Sequence, residues 1–162
     1  MVTLKAVATY IYQRYYRDFG VRIDEMKLHK LLYFAQRECI VQTGEPMFSE
    51  QFEAGKYGPL MPIVREWYQD GTLDTYCACD GIDQYQLVFE KIFSHYAKKS
   101  AWSLVSLTHG EQSWVKARKG CSQYDSTTHK MELTDIKKDA ERIGTRRFLL
   151  ARYKEFINAK TL

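Results

Sequence analysis

The chain has 162 residues, 45% of them apolar and 14% aromatic, which is too little for two cores and too much for a disordered chain; one compact domain over residues 1–162 is expected. Its 24 Lys and Arg stand against 20 Asp and Glu, a formal charge of +4 spread along the sequence, which permits an acidic partner without calling for nucleic acid. No apolar run approaches the roughly 20 residues that cross a bilayer, and the N-terminus lacks a secretory pattern, so a cytoplasmic protein with four reduced cysteines is expected.

Leu4, Val7, Ala8, Ile11, Tyr12 and Tyr15 recur at helical spacing after Thr3, a suitable N-cap, and Gly20 ends this first helix. Asp24 then caps a second helix. Leu28, Leu31, Leu32, Ala35 and Cys39 form one face, and Tyr33, Phe34 and Ile40 widen it. A helix so apolar belongs at the centre of the fold. Gly44 closes it ahead of Glu45-Pro46. From Met47 to Tyr57 short extended pieces are predicted, either a small hairpin or an irregular loop, with Gly58-Pro59 forcing a turn. Pro62 suits the first turn of a third helix that would bury Ile63, Val64, Trp67 and Tyr68 and stop before Gly71.

Thr72 to Gly81 reads as loop, or at most a short strand at Thr75-Tyr76-Cys77. Tyr85, Val88, Phe89, Ile92, Phe93 and Tyr96 mark the next helix. Ser100 caps a shorter one carrying Trp102, Leu104, Val105 and Leu107, and Glu111 to Lys119 makes another, ended by Gly120. Thr108 and Glu111 have the spacing of a capping box. Cys121 to Met131 is polar and reads as a mobile loop. Thr134 is placed to cap the last helix, which bends at Gly144-Thr145 before Phe148, Leu149, Ala151, Tyr153, Phe156 and Ile157 resume the apolar spacing. The expected fold is mainly α: six to seven helices in one domain, with a short β-hairpin or extended loop between the second and third.

No phosphate-cradling glycine loop, hydrolase serine elbow or paired-histidine helix occurs. Cys77-x-Cys79 lacks the two-residue gap of a zinc knuckle. Neither metal nor cofactor is expected, and no catalytic residue is assigned. The basic stretches Lys116 to Lys119 and Arg146-Arg147 read as solvated helix faces. An enzymatic alternative would use His109 and Glu111 as acid and base.

Three clusters stand out: Lys27-Leu28-His29-Lys30-Leu31-Leu32-Tyr33-Phe34-Ala35, then Phe52-Glu53-Ala54-Gly55-Lys56-Tyr57-Gly58-Pro59-Leu60-Met61-Pro62, then Leu107-Thr108-His109-Gly110-Glu111-Gln112-Ser113-Trp114. Together with Gly44, Pro46, Met47 and Phe48 between the first two, they resemble the Panacea (SocA-like, phage-associated) domain family over about residues 23–118. Ser113 stands where that pattern usually has Pro, Gly55 where Trp is common, and Met47 and Leu60 are conservative swaps. The resemblance implies an antitoxin, encoded beside a toxin gene in phages, prophages or bacterial chromosomes, that neutralises the toxin by direct protein binding and needs no catalytic group. It implies Lys30, Tyr33, Tyr57, His109, Glu111 and Trp114 as partner-binding residues, with Gly58 and Pro59 as a structural turn. The competing reading is that all of these hold the fold. A nucleic-acid-binding regulator is a further alternative, and the oligomeric state is open.

Overall fold

The computed structural model describes residues 1–77 and 81–161. The mainly α expectation holds: eight α-helices and one two-stranded hairpin occur among the described residues. The first helix, α1 (Leu4–Phe19), begins where Thr3 Oγ1 accepts the Ala6 N–H and ends at Gly20, whose φ of 70° is left-handed. The second, α2 (Glu25–Thr43), begins with the Asp24 carboxylate on the Lys27 N–H and ends on Gly44 in the same left-handed conformation.

Every residue of α2 from Lys27 to Ile40 is buried. It is packed by α1, by α5 (Gln86–His95), α6 (Ala101–His109) and α8 (Leu133–Lys160), and by the hairpin. Polar side chains on such a helix must therefore find partners inside the protein. Gln36 donates to the Phe48 carbonyl and accepts from Met47 N–H, both at 2.8 Å. Lys27 Nζ donates to the Ala97 carbonyl, and Glu38 accepts two bonds from Arg147.

The hairpin pairs β1 (Glu53–Gly55) with β2 (Gly58–Leu60), antiparallel, with Ala54 opposite Pro59 and Gly55 opposite Gly58. The free edge of β1 is met by the end of the polar Cys121–Met131 segment: Ala54 N–H donates to His129 O, and Met131 N–H to Phe52 O. One end of the segment expected to be a mobile loop is thus tied into the sheet.

Several local expectations are corrected. The helix α3 (Pro62–Gln69) fully buries only Val64; Ile63 is exposed, and Trp67 and Tyr68 are half-buried. Cations cover what the core does not, with Lys5 over Trp67 and Arg22 over Tyr68. A one-turn helix, α4 (Thr72–Thr75), stands where loop was predicted, and a 3-10 turn (Ile82–Tyr85) precedes α5. Glu132, not Thr134, is the N-cap of α8, and the helix runs 28 residues without a break at Gly144. One interior glycine costs only about 1 kcal/mol relative to Ala, too little to interrupt the ladder. Helical spacing also overstated burial: Trp102, Leu107 and the apolar residues of α8 beyond Ile143 are exposed. Cys39 and Cys121 are free thiols, but Cys77 is disulfide-bonded, and Cys79 lies outside the described residues. A compartment sets the ambient redox poise, not the oxidation state of each thiol. No helix among the described residues is long and apolar enough to cross a membrane.

Candidate functional site: a hairpin held over the central helix

The turn of the hairpin rests on side chains that bind its backbone carbonyls. Lys30 rises from α2 and donates to Pro59 O at 2.9 Å. Trp114, on α7 (Gln112–Ala117), donates its indole N–H to Gly55 O at 2.9 Å. His109, at the end of α6, lies 3.2 Å by Nε2 from Lys56 O and stacks on Trp114 with ring centres 4.1 Å apart. Arg118 takes Ala54 O, and its other nitrogen gathers Ser122 O and Asp125 O. Four carbonyls around the turn are thereby occupied by residues from three helices and the segment after α7. Gly58 makes the close approach possible: its φ is +96°, and an added Cβ would lie 2.8 Å from Lys30 Cε and collide with Thr108 Oγ1.

A second cluster lies alongside. The Tyr33 hydroxyl donates to Glu111 Oε2 at 2.8 Å and lies 3.1 Å from Ser113 Oγ. Arg37 donates to the other Glu111 oxygen at 2.6 Å and to the Tyr96 hydroxyl at 2.8 Å. Burial pushes the Glu111 carboxyl up, and Arg37 opposes that shift. Burial, with Glu111 and Asp139 nearby, holds the Tyr33 phenol well above its ordinary range, so it stays a donor. The capping box expected of Thr108 and Glu111 is not formed. Arg37 draws the Glu111 carboxylate away, and the Thr108 hydroxyl donates back to Val105 O. Asp139 of α8 instead caps α7, accepting Gln112 N–H and Ser113 N–H at 2.9 Å each.

What remains exposed is aromatic. Tyr57, at the hairpin tip, is 46% exposed and meets the 61% exposed Trp102 of α6 edge-on, with centroids 5.5 Å apart. Beside the tip opens a groove of about 600 Å³ walled by Glu25, His29, Lys30, Tyr57, Leu60 and Arg65. Gly55, where the resembled pattern commonly has Trp, also lines it and leaves it open. Arg65 pairs with Glu25 at 2.7 Å across the rim. His29 accepts the Met61 N–H at Nδ1, and burial lowers its pKa, so the ring is the neutral Nε2–H tautomer.

The structure gathers Lys30, Tyr57, Gly58, Pro59, His109 and Trp114 around the turn, and pairs Tyr33 with Glu111 next to it. Of the six predicted contact residues, Tyr57 alone is exposed; His109 is half-buried and the others are buried. The cavity that Glu111 lines with Arg37, Tyr96 and Arg142 does not have His109 in its wall. Arg37, Asp139, Arg118 and Trp102 were missed. A cation in the middle of a helix expected to be central is the available signal for Arg37, since a buried cation requires a counter-charge. Arg118 and Arg147, read as solvated, instead bind the Ala54 carbonyl of the hairpin and the buried Glu38, respectively. Among the described residues no group of three or more His, Cys, Asp or Glu is placed to hold a metal ion.

Lys30 gives the platform a measurable pH dependence. It is 2% exposed, and burial lowers its amine from 10.5 to about 7. The unfolded chain keeps that proton to higher pH than the folded one, so stability rises from pH 7 to 9, by up to about 1.4 kcal/mol per pH unit. Above that window Tyr33, which resists deprotonation when folded, reverses the trend. Urea unfolding at pH 7, 8 and 9 is expected to show the rise in the wild type and a flatter profile in Lys30→Met; parallel profiles would contradict the assignment.

A family model described as "Antitoxin SocA-like, Panacea domain" matches residues 28–115, a span that contains all six predicted contact residues. Antitoxin SocA of Caulobacter vibrioides (strain NA1000 / CB15N) is 43% identical over 44 residues. That stretch is 27% of this chain and 23% of the relative, so the chain aligns with under a quarter of the relative's length. No solved structure matches.

Proposed function

We propose that this chain, which belongs to the SocA-like antitoxin family defined by the Panacea domain, neutralises a cognate toxin in the cytoplasm by binding it directly, in a phage- or prophage-associated setting. The observation that carries this reading is the exposed Tyr57–Trp102 pair beside a hairpin whose turn carbonyls are held by Lys30, Trp114 and Arg118. Rigid, half-exposed aromatics are what anchors a protein interface, because they bury much area while ordering few torsions. Tyr57 is assigned the direct contact. Lys30, Tyr33, His109, Glu111 and Trp114 are assigned as positioning residues, since their polar atoms face the hairpin or one another.

An acid–base role for His109 and Glu111 gains no support from this arrangement. The carboxylate is closed in by Arg37 and Tyr33, and the imidazole is stacked and turned to a backbone carbonyl. Tyr57→Ala is expected to abolish protection from the co-expressed toxin while leaving the thermal transition unchanged, because the ring is half in water. Protection at the wild-type level would overturn the assignment of Tyr57.

A further inference from the structure

The second half of α8 leaves the body of the protein. Its buried residues are Asp135, Ile136, Asp139 and Ala140, and from Thr145 to Lys160 every residue except Arg147 is exposed. This free segment is not polar. Leu149, Leu150, Tyr153, Phe156 and Ile157 are each at least 43% exposed. At 100° per residue they fall within an arc of about 120°, forming one stripe about 12 Å long. Arg146 and Lys160 project from the same arc at its two ends.

The charge of the segment points to what covers it. Residues 144–160 carry Arg146, Arg147, Arg152, Lys154 and Lys160 against Glu155 alone, a net +4 equal to the formal charge of the whole chain. Arg147 among them is paired with the buried Glu38, so the projecting part presents four cations against Glu155, which is most of the protein's formal excess of +4. Two copies packed stripe to stripe would bring these cations together within a Debye length of about 8 Å, which disfavours self-pairing. A bilayer surface takes an apolar face with cations along its flanks; Arg152 and Lys154 do flank this stripe, and the exposed Phe148 lies beyond Arg152, but Arg146 and Lys160 lie inside its arc at both ends, where charge would have to enter the apolar layer. An apolar groove with carboxylates at its rim and ends complements it, in the manner of an amphipathic helix laid in a protein groove.

We infer that the stripe Leu149, Leu150, Tyr153, Phe156 and Ile157 is a docking helix for the toxin, and that the toxin presents an apolar groove edged by Asp and Glu. This rests on the antitoxin reading above and adds a second contact to that of Tyr57. Binding of the purified full chain to the toxin encoded by the neighbouring gene tests it. Leu149→Glu/Phe156→Glu is expected to weaken affinity about 100-fold or more with an unchanged thermal transition, since both side chains lie in water. Arg152→Glu/Lys154→Glu is expected to weaken binding and reduce its salt dependence. Wild-type affinity in the apolar variant would overturn this inference alone; a wild-type chain that binds no toxin would overturn the antitoxin reading and the inference with it. A chain that dimerises alone, with dimers lost in the apolar variant, would assign the stripe to a second copy. Stripe-dependent co-sedimentation with phosphatidylglycerol–phosphatidylcholine vesicles would assign it to a membrane. Either result would overturn the proposal.

Discussion

Gly58→Ala is expected to destabilise the protein by about 3–5 kcal/mol, a large fraction of a typical domain's margin. Two costs combine. The backbone at +96° is left-handed, where a non-glycine residue costs about 1–3 kcal/mol. The added methyl would also meet Thr108 Oγ1 and lie 2.8 Å from Lys30 Cε, an overpacking that costs about 1–3 kcal/mol. Neither neighbour yields easily, because Lys30 is bonded to Pro59 O and the Thr108 hydroxyl to Val105 O. Denaturant unfolding measures the sum, and Thr108→Ala in the same chain separates the parts. It removes one collision but not the backbone strain, so partial recovery is expected. Full recovery would mean that strain contributes little; no recovery would mean that the collision does.

Arg37→Met is expected to cost a comparable amount, about 3–5 kcal/mol, because it leaves the buried Glu111 carboxylate only the more distant Arg142, at 3.9 Å, as a cation. Glu111 is 4% exposed, and Arg37 is its closest partner, at 2.6 Å. Glu111→Gln added to Arg37→Met is expected to restore much of the loss, since a neutral amide needs no counter-charge. The deficit has a sign in pH as well. Without Arg37 the Glu111 carboxyl moves further above its unfolded value, so the folded variant binds a proton that the unfolded chain releases. The deficit is therefore larger at pH 7 than at pH 4.5. Independent, additive effects of the two substitutions would contradict the pairing.

These two sites mark the limit of what was legible. Thr3, Gly20, Asp24 and Gly44 announce the ends of α1 and α2, because a cap acts on N–H and C=O groups within a turn of itself. The turn at Gly58-Pro59 was legible for the same reason, and the order of the motif blocks pointed to the family. Glu111 shows the opposite case. Its local spacing with Thr108 matched a capping box, yet Arg37, 74 positions away, takes its carboxylate, and Asp139 from a third helix does the capping. No local signal encodes that exchange. Periodicity likewise found α8 but could not say that Leu149 to Ile157 faces water, since burial depends on what packs there and not on spacing.

The same limit separates Tyr57 from its neighbours in the motif. Lys30, Tyr33 and Trp114 looked equally available in sequence, but only their distant partners reveal that their polar atoms are engaged.

Neutralisation by direct binding is tested most directly by titrating purified toxin with the purified chain and following heat release together with residual toxin activity. Activity is expected to fall in proportion to added chain and reach its floor at a fixed stoichiometric ratio, with the heats saturating at the same point, and Tyr57→Ala should shift both. Complete inactivation by a small fraction of that amount, with no saturable heat, would reveal turnover in place of binding and contradict the account.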